Sequence, residues 1–187
     1  MDWSAVKPHF DPKKFHRNAE PEVKWIVEHM NWDDTPVLDV GCLDSGLLRL
    51  LPKVTAGTIV GVDSRPGEGS VQMDIRWPDF KHKFKVIIFL STIEHIGLDC
   101  YGNARLDDWG DTAALAATEK ILAANGRILV TAPWDPTGNW RDRNGEPWER
   151  RYSHDTAFEL LERTKLVAVE YTEDRRNELV MMELRHG

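Results

Sequence analysis

Val37-Leu-Asp-Val-Gly-Cys-Leu-Asp-Ser-Gly46, followed by Ile59-Val-Gly-Val-Asp63, decides how this chain folds. The first stretch predicts a short apolar strand over residues 36–40 that carries an acidic residue into a tight turn. The second predicts a strand over 58–62 that closes on an aspartate. Such a pair describes the nucleoside pocket of an open α/β sheet, where ligands sit beyond the carboxyl ends of the strands. Gly41 lets the backbone turn sharply and approach a ligand closely. A carboxylate at Asp63 can accept hydrogen bonds from both hydroxyls of a ribose. The competing reading of Asp63 is a strand-end aspartate that faces only water.

The same residues argue against a dinucleotide. Gly41-x-Leu43-x-x-Gly46 is a G-x-G-x-x-G turn that has lost its middle glycine, the one that lets a pyrophosphate reach the backbone. NAD and FAD are therefore disfavoured. A nucleoside cofactor without phosphate loses less from the change.

Working outward, the 187 residues are read as one domain, 1–187, with residues 1–18 as a polar, aromatic arm or lid. The formal net charge of -7 argues against bulk binding to nucleic acid or to an anionic membrane. Cys42 and Cys100 stand in different contexts and suggest no disulfide framework, so a reducing, cytoplasmic setting is the default. There is no apolar signal core and no run long enough to span a bilayer.

Helix and strand signals alternate along the rest of the chain. Val23, Ile26, Val27 and Met30 recur at helical spacing and predict a helix over 18–30, with Pro21 in its first turn. A leucine-rich helix is expected over 46–51, stopped by Pro52, and a brief strand over 71–74. Residues 84–90 are nearly all apolar, as in a strand buried on both faces. A helix over 111–124 follows, capped by Asp111 or Asp108 and stopped at Asn125-Gly126. A strand over 127–132, a long loop over 133–152 and a helix capped by Ser153 come next. The strands 166–171 and 179–184 are separated by only a few turn residues, which favours an antiparallel hairpin.

This order, with its acidic turn, resembles the class I (Rossmann-like) S-adenosylmethionine-dependent methyltransferases over residues 20–187. The resemblance implies an α/β, doubly wound, seven-stranded and mainly parallel sheet with an antiparallel C-terminal hairpin strand, in three α/β/α layers. It implies S-adenosyl-L-methionine as cofactor and S-adenosyl-L-homocysteine as product. The family's turn has the form D/E-x-G-x-G-x-G; here Leu43 and Ser45 stand in place of the second and third glycines, and Leu43 narrows the approach. By the resemblance Asp39, Gly41, Cys42, Asp63, Ser64, Asp74, Ile75 and Leu90 form the cofactor pocket. Asp39 orders the turn and faces the methionine amino group, Asp74 accepts from the adenine amino group, and Ile75 packs on the ring. The cofactor is a net cation, which suits a cleft carrying three aspartates.

After the fourth strand comes Ser91-Thr-Ile-Glu94-His95-Ile-Gly-Leu-Asp-Cys-Tyr101-Gly102. Many methyltransferases that act on small molecules carry a similar Glu-His pair here. The longer string, with Glu-His-Ile-Gly and Tyr-Gly, resembles bacterial methyltransferase-like proteins linked to polysaccharide or other specialised biosynthesis. Methyl transfer mainly requires the acceptor atom to be held in line with the sulfonium, and a hydroxyl acceptor also benefits from a base. His95 is the candidate, because an imidazole titrates near neutrality; otherwise it hydrogen-bonds the loop or packs on the cofactor. Glu94 is read as orienting the turn. No motif joins Glu94, His95, Asp107, Asp108 and Asp111 into a metal site, so no metal is expected.

The loop over 133–152 interleaves tryptophans with arginines, which suits a wall for a sugar, a nucleotide or an anionic conjugate; the alternative is a loop pinned by its own side chains. Trp134, Arg151 and Tyr152 are the preferred substrate contacts, with Tyr101 and Trp109 approaching from the other long loop. The arm either closes over the site or packs on the sheet edge or a partner subunit, as in a homodimer. The leading expectation is methyl transfer to a small-molecule or glycan hydroxyl. A non-catalytic or partner-dependent cofactor-binding protein is the second. A nucleic-acid methyltransferase is disfavoured, since Ser91-Thr-Ile-Glu94 replaces the Asn/Asp-Pro-Pro-Tyr/Phe sequence of amino-directed enzymes.

Overall fold

The structure, a computed structural model, describes residues 1–16, 19–101, 106–143 and 145–187, and the backbone alone of residue 44. Asn18, read as a helix start, and Gly102, part of the Tyr-Gly string, lie outside the described residues. In chain order the elements begin with α1 (Trp3–Val6), α2 (Glu20–Glu28), β1 (Val37–Val40), α3 (Cys42–Ser45), α4 (Leu47–Leu50), β2 (Ile59–Asp63), β3 (Ser70–Gln72) and β4 (Phe84–Leu90). They continue with α5 (Gly110–Glu119), β5 (Leu122–Pro133), β6 (Trp140–Arg143), β7 (Glu146–Arg150), α6 (His154–Glu159), β8 (Leu166–Asp174) and β9 (Leu179–His186).

Seven strands form one sheet in the order β3-β2-β1-β4-β5-β9-β8, and β6 pairs with β7 as a separate hairpin. The strands from β3 to β5 run parallel, and β9 runs antiparallel between β5 and β8. Successive side chains point to opposite faces of a strand, and here both faces are covered. Leu38, Ile87, Phe89, Ile128 and Val130 pack with Ala114 and Leu115 of α5 and Ala157 and Leu160 of α6. Val37, Val86, Ile88, Leu90 and Leu129 pack with α1, with Val23, Ile26 and Val27 of α2, and with Leu47 and Leu50 of α4. The result is the doubly wound, three-layer arrangement expected.

Three local expectations are corrected. The helix α5 ends at Glu119 and the chain is already a strand at Leu122, so Asn125-Gly126 lies inside β5. Leu122 pairs with Phe84, and an irregularity in the β4–β5 register absorbs the polar residues that follow. Trp109, not Asp111 or Asp108, holds the N-cap position of α5, with no side-chain cap. The long loop over 133–152 contains the β6–β7 hairpin. All four residues of β6 are exposed, so no alternation of apolar and polar side chains marks it.

The segment after β4 is held by a backbone contact that admits no side chain. Gly97 has φ +87°, and a Cβ there would lie 2.2 Å from the Asp107 carbonyl oxygen and 2.9 Å from the Gly110 Cα. Its own carbonyl accepts the Asp107 N–H at 2.9 Å. Gly97→Ala is therefore expected to destabilise the fold by about 2 kcal/mol or more. Urea unfolding of the variant against wild type measures this, and an unchanged midpoint would contradict the contact.

Candidate active site

A cleft of about 740 Å³ opens at the carboxyl ends of β1, β2 and β4, where open α/β sheets place ligands. Parallel register sets Val40 level with Val62 and with Phe89. The residues that follow each strand therefore reach the same rim.

At the first rim position Gly41 takes φ +76°, and a Cβ would fall 2.4 Å from the Thr92 side chain. Its N–H donates to the Val62 carbonyl at 2.8 Å. Leu43, the residue that displaced a glycine, packs against Gly67 and lines the cleft. Ser45, the other replacement, has a role of its own: its hydroxyl donates to Asp39 Oδ2 at 2.5 Å and accepts the Leu47 N–H at 3.2 Å. Asp39 is fully buried, and its Oδ1 has no hydrogen-bond partner. Burial pushes its carboxyl up to about 7, against the pull of the Ser45 hydroxyl and with nearby Asp63 adding to the rise. Cys42 sits beneath the turn against Gly61, its thiol pushed up to about 12 by burial. Asp39 and Cys42 thus support the turn from below and do not line the cleft, whereas Gly41, Asp63, Ser64, Asp74, Ile75 and Leu90 do.

Both cleft carboxylates hold an arginine two residues on. Asp63 Oδ1 accepts the Arg65 N–H at 2.9 Å and Nε at 3.1 Å, while Oδ2 accepts Nη2 at 3.2 Å and the Leu43 N–H at 3.4 Å. Asp74 accepts Arg76 Nη2 at 2.6 Å, and Arg76 also reaches Asp107 at 3.3 Å.

At the other end, a short helical turn over Ile93–His95 presents the Glu-His pair. His95 Nδ1 lies 2.7 Å from the Trp148 carbonyl oxygen. A carbonyl only accepts, so Nδ1 carries the proton and Nε2 keeps its lone pair. Burial holds the imidazole below its ordinary value, hence neutral at pH 7. Tyr101 and Trp148 stand edge-on to the ring at 5.8 and 5.6 Å. Glu94 is buried too; burial raises its carboxyl well above the usual range, and its Oε2 has no hydrogen-bond partner. Among the described residues no group of three or more His, Cys, Asp or Glu is arranged to hold a metal ion.

Of the five residues expected on the acceptor side, Tyr101 and Arg151 line the cleft and Trp109 does not. Arg151 is braced by Glu149 at 3.2 Å and Glu178 at 3.3 Å. Trp134 and Tyr152 do not line it, because they bridge to one another and turn into the core below the sheet. The Tyr152 hydroxyl donates to buried Asp111 at 2.9 Å, and Arg150 pairs with the same carboxylate at 3.3 Å. These contacts draw Asp111 Oδ2 inward, while its Oδ1 accepts the Thr112 N–H at 2.8 Å inside the first turn of α5.

Sequence reasoning missed the floor of the cleft. Glu22 on α2 is buried, accepts the Ser91 hydroxyl at 2.7 Å and the Thr131 hydroxyl, and meets His16 Nε2 at 2.8 Å. A glutamate beside the apolar stripe Val23, Ile26, Val27 was the available signal. Ser91 itself adopts φ +43°, a strained conformation for a residue with a Cβ. The arm reaches the cleft through Lys13, Lys14, Phe15 and His16.

The sheet order and the cleft at its switch point are those of the class I S-adenosylmethionine-dependent methyltransferase fold. No protein-family model matches the chain, and neither does any curated protein. Solved structures do. The 1,6-didemethyltoxoflavin-N1-methyltransferase of Burkholderia thailandensis, crystallised with 1,6-didemethyltoxoflavin and S-adenosylhomocysteine, matches at TM-score 0.70 and 14% identity over 98% of this chain and 84% of its own. DesVI of Streptomyces venezuelae matches at 0.67 and 14% over 100% and 99%. S-adenosylmethionine-bound CalS10 of Micromonospora echinaspora, an amino pentose methyltransferase, matches at 0.64 and 13% over 99% and 97%. At such identity the likeness is one of fold.

Two outcomes follow for the residues that sit behind the cleft. An unfolded aspartate ionises near pH 4 (about 3.9), and Asp39 in the fold at about 7. Between those values the folded state holds a proton that the unfolded state lacks, so stability falls as pH rises across that window. Asp39→Asn is expected to flatten the slope between pH 4 and 7 in urea unfolding. Tyr152→Phe is expected to cost about 1–2 kcal/mol by leaving buried Asp111 short of a donor, with ligand affinity unchanged in calorimetric titration.

Proposed function

We propose that this chain is an S-adenosylmethionine-dependent methyltransferase that moves a methyl group to a hydroxyl of a small molecule or glycan. The observation that carries the reading is one cleft, on this fold, with Asp63 and Asp74 at one end and His95, its Nε2 3.9 Å from Glu94 Oε1, at the other. The residues fit the cofactor. A cation is suited by Asp63 and Asp74, which line the cleft together with Gly41 of the turn.

Asp63 and Ser64 would hold the ribose, Asp74 and Ile75 the adenine, and Gly41 with Leu90 the methionine end. When bound, S-adenosylmethionine supplies an electrophilic methyl group on a sulfonium. The chain's task is to hold the acceptor in line with it and exclude water. His95 Nε2 takes the acceptor's hydroxyl proton while the Trp148 carbonyl keeps the ring oriented through Nδ1. Glu149 favours the imidazolium that results. Tyr101 and Arg151 wall the acceptor pocket. Lys13 to His16, which line the cleft, support the arm over 1–18 as a lid on a single domain. Acceptors of the size of a sugar or small heterocycle accord with the compounds named for the structural neighbours. Cys42 and Cys100 are unpaired, in keeping with a reducing, cytoplasmic setting; among the described residues no helix is long and apolar enough to cross a membrane.

Calorimetric titration with S-adenosylhomocysteine tests the pocket: wild type binds and Asp63→Ala does not. With sugar and small-molecule hydroxyl acceptors, His95→Gln is expected to lower kcat by about 10²–10⁴-fold without changing that affinity. The wild-type rate should climb with pH to a plateau reached below the ordinary histidine value, because burial favours the neutral base. Absence of heat with wild type, or an unchanged rate in His95→Gln, would defeat the respective part of the proposal.

A further inference from the structure

The Asp63 carboxylate is saturated. An ionised carboxylate offers about four lone-pair sites, and four donors fill them: the Leu43 and Arg65 backbone N–H groups, and Nε and Nη2 of the Arg65 side chain. Two of the four belong to the local backbone and stay with the turn. The other two belong to a side chain. A ribose brings two hydroxyl donors, the same number that the guanidinium would withdraw.

The second aspartate–arginine pair gives the contrast. Arg76, on Asp74, is only 3% exposed. Arg65 is 25% exposed, borders the cleft, and lies over the Tyr101 ring at 4.3 Å. Arg65 is the more exposed partner of its pair, 25% against 5% for Asp63, so its side chain and not the carboxylate is the group that can turn toward solvent. The Tyr101 face offers the released guanidinium a place to rest by a cation–π contact.

We propose that Arg65 is a latch on the cofactor site, an affinity- and specificity-determining residue that must leave Asp63 before a ribose diol can be held there. The inference rests on the reading of Asp63 as the ribose carboxylate. Arg65 acts through Asp63 and is a positioning residue. Its presence lowers the affinity of any ligand that uses the diol and leaves other ligands unaffected.

The test is calorimetric titration of wild type, Arg65→Ala and Asp63→Ala with three probes: S-adenosylhomocysteine, adenosine and 2′,3′-dideoxyadenosine. Circular dichroism checks that each variant is folded. Arg65→Ala is expected to bind S-adenosylhomocysteine and adenosine about tenfold more tightly than wild type, the size of one charge-assisted hydrogen bond exchanged. Its affinity for 2′,3′-dideoxyadenosine should not change. Adenosine is uncharged, so a gain confined to it over the dideoxy form reports the diol and not the loss of a positive charge. Equal or weaker binding by Arg65→Ala, or an equal gain for the dideoxy form, would overturn it while leaving the cofactor reading intact. No binding by wild type or Arg65→Ala, with Asp63→Ala no different, would overturn both.

Discussion

The site depends on one hydrogen bond beneath it, from the Ser45 hydroxyl to Asp39. Asp39 belongs to β1, and Ser45 ends the single helical turn α3. Their bond folds the intervening residues back onto the strand. That fold directs the Leu43 N–H toward Asp63 and sets Gly41 against Thr92. Glycines at positions 43 and 45 would leave the turn more entropy to lose. Here a side-chain bond and an apolar contact of Leu43 with Gly67 supply the order. A buried carboxyl with one oxygen unsatisfied is costly, and the rise in its pKa is the expected response.

The cleft concentrates acidic groups and then disarms most of them by different means. Asp63 and Asp74 carry arginines. Glu22 is bonded to two hydroxyls and faces His16. Glu94 and Asp39 lie where burial favours the neutral form. The cleft is thus less negative than its composition implies. Attraction for a cationic ligand comes from groups that must first be released or ionised, which makes affinity sensitive to neighbours such as Arg65.

The reacting end is organised by the hairpin β6–β7 and not by the sheet alone. Trp148 fixes the tautomer of His95 through its backbone carbonyl, and Arg150 donates to the carbonyl of Ile96 at 2.7 Å. A segment with little apolar periodicity thereby positions both the candidate base and the turn that carries it. Methyl transfer asks for placement more than for acid–base power, and under the proposed function the hairpin would supply it.

The amino-acid sequence by itself determined the sheet and one wall of the cleft. Apolar runs such as 84–90 read as buried parallel strands, and the aspartate that ends β2 marks the pocket, because strand patterns and turn chemistry are local. Asp63 was legible for that reason, whereas Asp74, Ile75 and His95, which also line or border the cleft, were reached through the family resemblance. What only the tertiary structure decided was which neighbouring side chains face the cleft and which face the core. Asp39 and Cys42 lie one layer below Gly41, and Trp134 and Tyr152 turn inward to meet Asp111 and the core. Glu22 and Ser91 meet across 69 positions of chain. Such pairings are set by packing between distant segments, which no local pattern records.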